Sequence, residues 1–543
     1  MSIISGDRKP GARFQGSAGK VVGMEIKRRR SMVTGRGLVM GAMACAVALA
    51  WVVPAVAAQA SAATTAMASP SAANPAVTGP VTGGNGAIVL QGTSFPLSDV
   101  GYTQSEYFLS GTASSYAPVS TLGSSGKWQV APATTASYTT RIVVDRPANA
   151  ADFNGSVVVE WLNDTAGFDT AAEWLYGHNE LVRDGFAWVG VSAQQAGVSA
   201  LRQADPVRYA ALSHPGDSYS YDIFSQAGQA VWDDSAQVLG GLTPKAVLAA
   251  GESQSAFRLT TYIDAIQPLA HVYDGFLVHS RGGSGAPLSQ SPQASVLDPP
   301  VVYFRRDLGV PVLDVETETD LFLPQFSAFP GSGPYLPAQQ ADSHGFRLWE
   351  VAGTAHADDY AESSLAAGDT GNGATDEQAL NDMLSPPDSL GGGAIAIACA
   401  DPINTGEDHY VIDAAEYALN QWVTTGTAPA RAPRLDVNSA GTGYVTDANG
   451  NVEGGIRTPA VQVPVATLSG LGNSGSGPEA TFICPLLGTT TPFSAAKLAA
   501  LYPTHAQFVL EWASATAADA LAGFIRPADA VNLVAAAQAS SVG

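Results

Sequence analysis

Apolar residues along this chain fall into short dense runs separated by longer mixed segments. Residues 138–144 (YTTRIVV) alternate apolar with polar and stop before Pro147. Six further runs follow: 156–162 (SVVVEWL), 186–192 (FAWVGVS), 245–250 (KAVLAA), 273–279 (YDGFLVH), 310–317 (VPVLDVET) and 346–351 (FRLWEV). Several are nearly continuous and β-branched. Short apolar runs divided by longer segments predict a mainly parallel sheet covered on both faces by helices. Residues 413–423 (DAAEYALNQWV) carry a helical period and predict an amphipathic helix. Residues 86–430 are expected to form this core. Within it, 195–240 is rich in aromatic residues and reads as an inserted lid, and 357–400 as an acidic, glycine-rich insertion. Beyond 430 the chain turns to short strands and turns. Residues 431–543 are therefore expected to pack on the core as a C-terminal elaboration.

The N-terminus has a different pattern. Lys27, Arg28, Arg29 and Arg30 precede an apolar stretch from about residue 37 to 58, which ends in small residues such as Ala55-Val56-Ala57. A basic start, an apolar middle and a small-residue end predict a signal peptide over 1–58 and a secreted, extracellular protein. An uncleaved membrane anchor is the lesser alternative. Residues 59–85 are rich in Ala, Ser, Thr, Pro and Gly without apolar periodicity, and read as a disordered linker.

Charge narrows the partners. The formal net charge is −22, yet residues 1–57 hold nine Lys/Arg against two Asp/Glu, leaving 17 basic and 46 acidic residues beyond them. So acidic a body repels nucleic acid and anionic membrane surfaces. Two cysteines lie beyond the N-terminal segment, Cys399 and Cys484. In an exported chain they are expected to form one disulfide. Neither cysteine stands in a zinc-ligand spacing, and no metal is expected.

The chemistry concentrates in one segment. The apolar run from Lys245 leads directly into Gly251-Glu252-Ser253-Gln254-Ser255, and a helix-compatible stretch follows. Strand, Gly-X-Ser-X-small and helix together are the signature of a nucleophile elbow, in which a serine sits on a strained turn. The second small position usually holds glycine; here it is Ser255. A serine hydroxyl needs a base, and the base an orienting acid, in chain order serine, acid, histidine. Asp320 stands just past the strand at 310–317, with Glu318 as its competitor. His356 stands in the small-residue loop after the strand at 346–351, where catalytic groups collect in such sheets. An oxyanion hole is expected from the backbone N–H of Gln254 and one from the loop after 156–162, at Asn163 or Asp164.

The stretches VVVEWLN, FAWVGVSAQ, HPGDSYSYDIFSQAG, GESQSA, YDGFLVHSRG, VETETD and EVAGTAHADDY resemble the bacterial "alpha/beta hydrolase domain" family of large exported hydrolase-like proteins. GGIRTPAVQVPVATLSG and GTTTPF are similar to it as well, so the resemblance runs from about residue 100 to 535. It implies an α/β-hydrolase fold, Ser253 as nucleophile, His356 as base and Asp320 as acid. The expected activity is serine hydrolysis of a small-molecule or lipid-like carboxylic ester, with no cofactor. Acyl transfer by the same triad is the alternative, and a non-catalytic binding protein on the same scaffold a further one.

Overall fold

Seven of the predicted runs enter one nine-stranded sheet, ordered β1 (Ala76–Thr78), β2 (Tyr102–Pro118), β3 (Val130–Pro147), β5 (Ala187–Val191), β4 (Ser156–Trp161), β6 (Ala246–Glu252), β7 (Gly275–His279), β8 (Val312–Thr317), β9 (Phe346–Val351). In the computed structural model, residues 72–322, 333–361, 378–390 and 397–543 are described. The expected signal segment, and the linker up to residue 71, lie outside them. Strands β4 (Ser156–Trp161), β5 (Ala187–Val191), β6 (Ala246–Glu252), β7 (Gly275–His279), β8 (Val312–Thr317) and β9 (Phe346–Val351) run parallel to their neighbours in this block. All six are buried along their length, which explains why they read as continuous apolar runs. Successive side chains point to opposite faces. Val157 and Val159 pack into one core cluster, while Val158 packs into the other.

The covering helices supply the other half of each cluster. On one face lie α1 (Ala172–Arg183) and, much later in the chain, the long helix Asp408–Thr425, which contribute Trp174, Leu181, Val411 and Leu419. On the other face the chain contributes α3 (Ser220–Asp233) and α4 (Gln254–Thr261), while α2 (Gln195–Ala204) packs through Val198 and Leu201 against Phe108 in a third, smaller cluster. The long helix is α5 below. The chain steps from β5 across β4 to β6, so strand order reverses there. Crevices at such reversals open at the carboxyl ends of the strands.

Three sequence expectations change. First, the segment at 195–240 is not simply a lid. Its aromatics recur at helical spacing in α3, and Tyr221, Phe224, Ala227 and Val231 are fully buried against the sheet. Second, the expected linker ends earlier. Residues Ala76–Thr78 form β1, pairing antiparallel with β2 (Tyr102–Pro118). The residues after β1 are held by the Arg208 guanidinium, which donates to the carbonyls of Val81 and Gly83. Small residues fixed through their backbones leave no hydrophobic period to read. Third, the long antiparallel pair β2 and β3 (Val130–Pro147) extends the sheet well beyond the single run at 138–144.

The region after 430 is stitched to the sheet edge. Ile456 bridges Val351 in parallel, and the Glu350 carboxylate accepts the Leu435 N–H at 2.8 Å. Helices α6 (His505–Ala522) and α7 (Pro527–Ala539) follow, and Arg526 between them bonds Glu180 of α1 at 2.9 Å. Cys399 and Cys484 are joined by a disulfide across 85 residues. The expected insertion at 357–400 lies largely outside the described residues.

Candidate active site

Strand β6 ends at Glu252, and α4 begins at Gln254, leaving Ser253 alone between them. Its backbone takes φ 55° and ψ −118°. A non-glycine residue there costs on the order of 1–3 kcal/mol and persists only where the surroundings enforce it. They do: the Ser253 N–H donates to the His279 carbonyl at 2.9 Å, and the Ser253 carbonyl accepts the Phe257 N–H at 3.1 Å. A Cβ on Gly251 would meet Leu259 at 3.1 Å and Ser255 at 3.2 Å, so this position tolerates little more than hydrogen. The departure at Ser255 also has a use. Its hydroxyl donates to the Glu252 carbonyl at 2.7 Å and closes the turn.

Three side chains from separate strand ends meet here. The Ser253 hydroxyl lies 2.7 Å from His356 Nε2, and His356 Nδ1 lies 2.6 Å from Asp320 Oδ1. With Nδ1–H donated to the carboxylate, Nε2 is left to accept the serine proton. Asp320 Oδ2 accepts from the Thr317 N–H and hydroxyl, each at 2.7 Å, and from the Ser280 hydroxyl at 2.9 Å. Burial alone would raise the Asp320 pKa. The His356 charge, its hydrogen bond and the Thr317 donors reverse this and hold it below the usual carboxylate value. Burial likewise would lower the His356 pKa, but Asp320 and Glu252 hold it above the ordinary imidazole value.

Glu318, the competing acid, is used elsewhere. Its Oε1 accepts the Gly353 N–H at 2.6 Å and its Oε2 the Gly470 N–H at 2.9 Å. It thus ties the loop that carries His356 to the C-terminal region. Burial pushes its carboxyl up to about 7. A Cβ on Gly470 would stand 2.6 Å from the Cβ of Glu318, so the contact requires glycine. Helix geometry explains the division: Glu318 and Asp320 lie two residues apart in the short helix Glu318–Phe322, about 200° apart around its axis, so they project to different sides.

The oxyanion-hole candidates separate too. Gln254 opens α4, where backbone N–H groups have no intrahelical acceptor. The Asn163 N–H is consumed by the Thr170 carbonyl at 2.9 Å, which removes Asn163 as an oxyanion donor. The Asp164 N–H makes a long contact, 3.5 Å, to the side-chain oxygen Oε1 of Gln254, the first residue of α4. Burial pushes the Asp164 carboxyl up to about 7, opposed by the nearby Arg258.

Sequence reasoning missed the groups packed behind the serine. Asn163 Nδ2 donates to the carbonyl and the carboxylate of Glu252, each at 3.2 Å, joining the loop after β4 to the elbow. Glu252 Oε1 lies 3.8 Å from His356 Nε2, a second carboxylate beside the imidazole. Burial pushes Glu252 up to about 7, opposed by His356 and His279. Buried His279 sits between Glu173 at 3.2 Å and Asp408 at 3.1 Å. Only one signal was available in sequence, an acidic residue directly before the serine. Among the described residues no group of three or more His, Cys, Asp or Glu is placed to hold a metal, and no helix is long and apolar enough to cross a membrane.

The sheet order and the strained elbow define an α/β hydrolase. The chain belongs to the family described as "Alpha/beta hydrolase domain", whose model matches residues 77–535. Its fold is similar to that of an α/β serine hydrolase without lid from Xanthomonas campestris, at 11% identity over 39% of this chain and 78% of that one, with a TM-score of 0.23. A carboxylesterase from Lactobacillus plantarum is similar at 10% identity over 41% and 78%, TM-score 0.24. A fungal esterase from Rhizomucor miehei is similar at 12% identity over 39% and 67%, TM-score 0.20. These distant likenesses say nothing of substrate. No curated protein matches the chain.

Proposed function

We propose that this protein is an exported serine hydrolase that cleaves carboxylic esters through an acyl-enzyme on Ser253. The observation that carries the reading is the unbroken line Ser253–His356–Asp320, hydrogen-bonded at 2.7 and 2.6 Å on an elbow held at positive φ. His356 takes the Ser253 proton as the hydroxyl oxygen attacks the ester carbonyl. Asp320 keeps the imidazole in the productive tautomer and stabilises the imidazolium. The N–H groups of Gln254 and Asp164 hold the oxyanion. His356 then returns the proton to the departing alcohol, and a water activated by the same nitrogen releases the acid. Export is supported by the basic and apolar N-terminal segment and fits a bridged pair of cysteines. A fluorophosphonate probe and a panel of esters on the purified protein test the chemistry. Labelling of Ser253 with ester turnover is expected; an unlabelled Ser253 in folded protein would refute it. N-terminal sequencing of the protein collected outside the cell tests export, with a start near residue 58 expected.

A further inference from the structure

A second site of opposite character lies at the other end of the sheet. A cleft of about 1200 Å³ runs under the amino-terminal ends of β6 to β9, floored by residues such as Ala246 and Pro311 and walled by the end of α5 at Trp422. Five basic side chains line it: Lys245, Arg305, Arg306, Arg347 and Arg431. The chain holds only 17 Lys and Arg in the 486 residues after position 57, a density that would put fewer than one on a wall of 19 residues. One carboxylate, Asp274, shares the wall, and it is buried and bonded to the Val247 N–H at 2.9 Å.

Ordinary structural duties account for two of the five. Arg305 bonds Asp307 at 2.9 Å and the Asp264 carbonyl at 3.0 Å. Arg347 donates to the carbonyls of Pro429, at 3.0 Å, and of Phe346 and Ser343, and its guanidinium lies 5.3 Å over the Trp422 ring. Lys245, Arg306 and Arg431 are exposed and have no ion pair among the described residues. Burial holds the Arg347 pKa below its ordinary value against the pull of Asp342, and the charge of nearby Arg431 adds to the lowering. Like charges gathered in an acidic protein are unfavourable unless something negative sits among them.

From this convergence of unpaired arginines and lysine in one cleft, we propose a binding site for a small molecule bearing two or more oxyanion groups, phosphate or carboxylate. Arginine predominates, and its planar fork matches both groups bidentately. Screening limits the ligand to a small one. Charges farther than about 8 Å are largely screened at physiological salt, so a small ligand senses the cleft alone. A long polyanion would run out over the acidic remainder of the surface and be repelled. The site stands at the opposite end of the strands from Ser253, so its ligand binds apart from ester cleavage.

Isothermal titration of the whole chain at low ionic strength tests this, with sodium tripolyphosphate in one arm and citrate in another. Saturable one-site binding of at least one is expected, and which of them binds identifies the phosphate or the carboxylate source. The double substitution Arg306→Glu with Arg431→Glu should weaken that binding about tenfold or more, since each reversal replaces attraction by repulsion. Both residues are exposed and have no ion pair among the described residues, so the fold and the ester turnover of the variant should be unchanged. Failure of both probes to bind, or equal binding by the double variant, overturns the proposal. So does heparin binding through these arginines while neither small anion binds, which would mark a polymer surface instead.

Discussion

Two carboxylates in the short helix after β8, Asp320 and Glu318, are both buried, and they are held in opposite ways. Asp320 faces the triad, where three donors and an imidazole keep it charged and its pKa low. Glu318, two residues earlier, faces the C-terminal region, where two backbone N–H groups hold it but burial dominates and its pKa rises to about 7. Local sequence is almost the same for both. What separates them is the partner brought from afar: His356 for one, Gly470 for the other. A carboxylate near a strand end therefore acquires its role from what folds over it.

Four measurements test that contrast and the site around it. The largest effect is expected from Ser253→Ala, which should cost about 10⁴–10⁶ in turnover while thermal unfolding stays unchanged. Near-wild-type turnover would remove Ser253 from the chemistry. Next, Asp320→Asn should cost about 10⁴ in kcat, because the wrong imidazole tautomer is then favoured. Glu318→Gln should instead leave kcat largely intact and lower stability by about 1–3 kcal/mol, since its amide cannot satisfy both backbone donors. If kcat falls further in Glu318→Gln than in Asp320→Asn, the two roles are reversed.

Third comes the bridge that anchors the C-terminal side. It closes a loop with a sequence separation of 85 residues. Chain entropy sets such a bridge at roughly 4–5 kcal/mol. Reduction should lower the unfolding temperature yet preserve ester turnover at moderate temperature; an unchanged melting curve would leave the bridge without that role. The smallest effect concerns pH. In the proposed mechanism His356 must be neutral to take the serine proton, so kcat/KM should fall as pH drops through its raised pKa. Glu252→Gln removes a negative charge 3.8 Å from Nε2. That lowers the imidazole pKa, so the acid limb should move to lower pH. A limb that stays in place would show that Glu252 does not act on His356.

Much of this was legible in the residues. The six parallel strands are buried on both faces, so their apolar runs stood out. The elbow, Asp320 and His356 were legible because each follows directly from a strand. β1 and most of β2 were not, because polar and small residues such as Thr103, Gln104 and Ser105 are held there by backbone pairing. Asn163 misled because its N–H, a reasonable oxyanion donor, is taken by Thr170, a contact no pattern records. His279 was hidden for a similar reason: its partners Glu173 and Asp408 lie 106 and 129 residues away.

The tie between Glu318 and Gly470 also bears on the order in which the molecule is made. Ser253, Asp320 and His356 all leave the ribosome well before Gly470, which trails Glu318 by 152 residues. Tyr444, whose hydroxyl donates to the Glu318 carbonyl at 2.5 Å, trails it by 126. A nascent chain that already holds every member of the triad still lacks the donors that seat the loop between β8 and His356. The acid-bearing loop would therefore lock only late in synthesis, and a chain cut short before residue 470 should carry a complete triad that is poorly held.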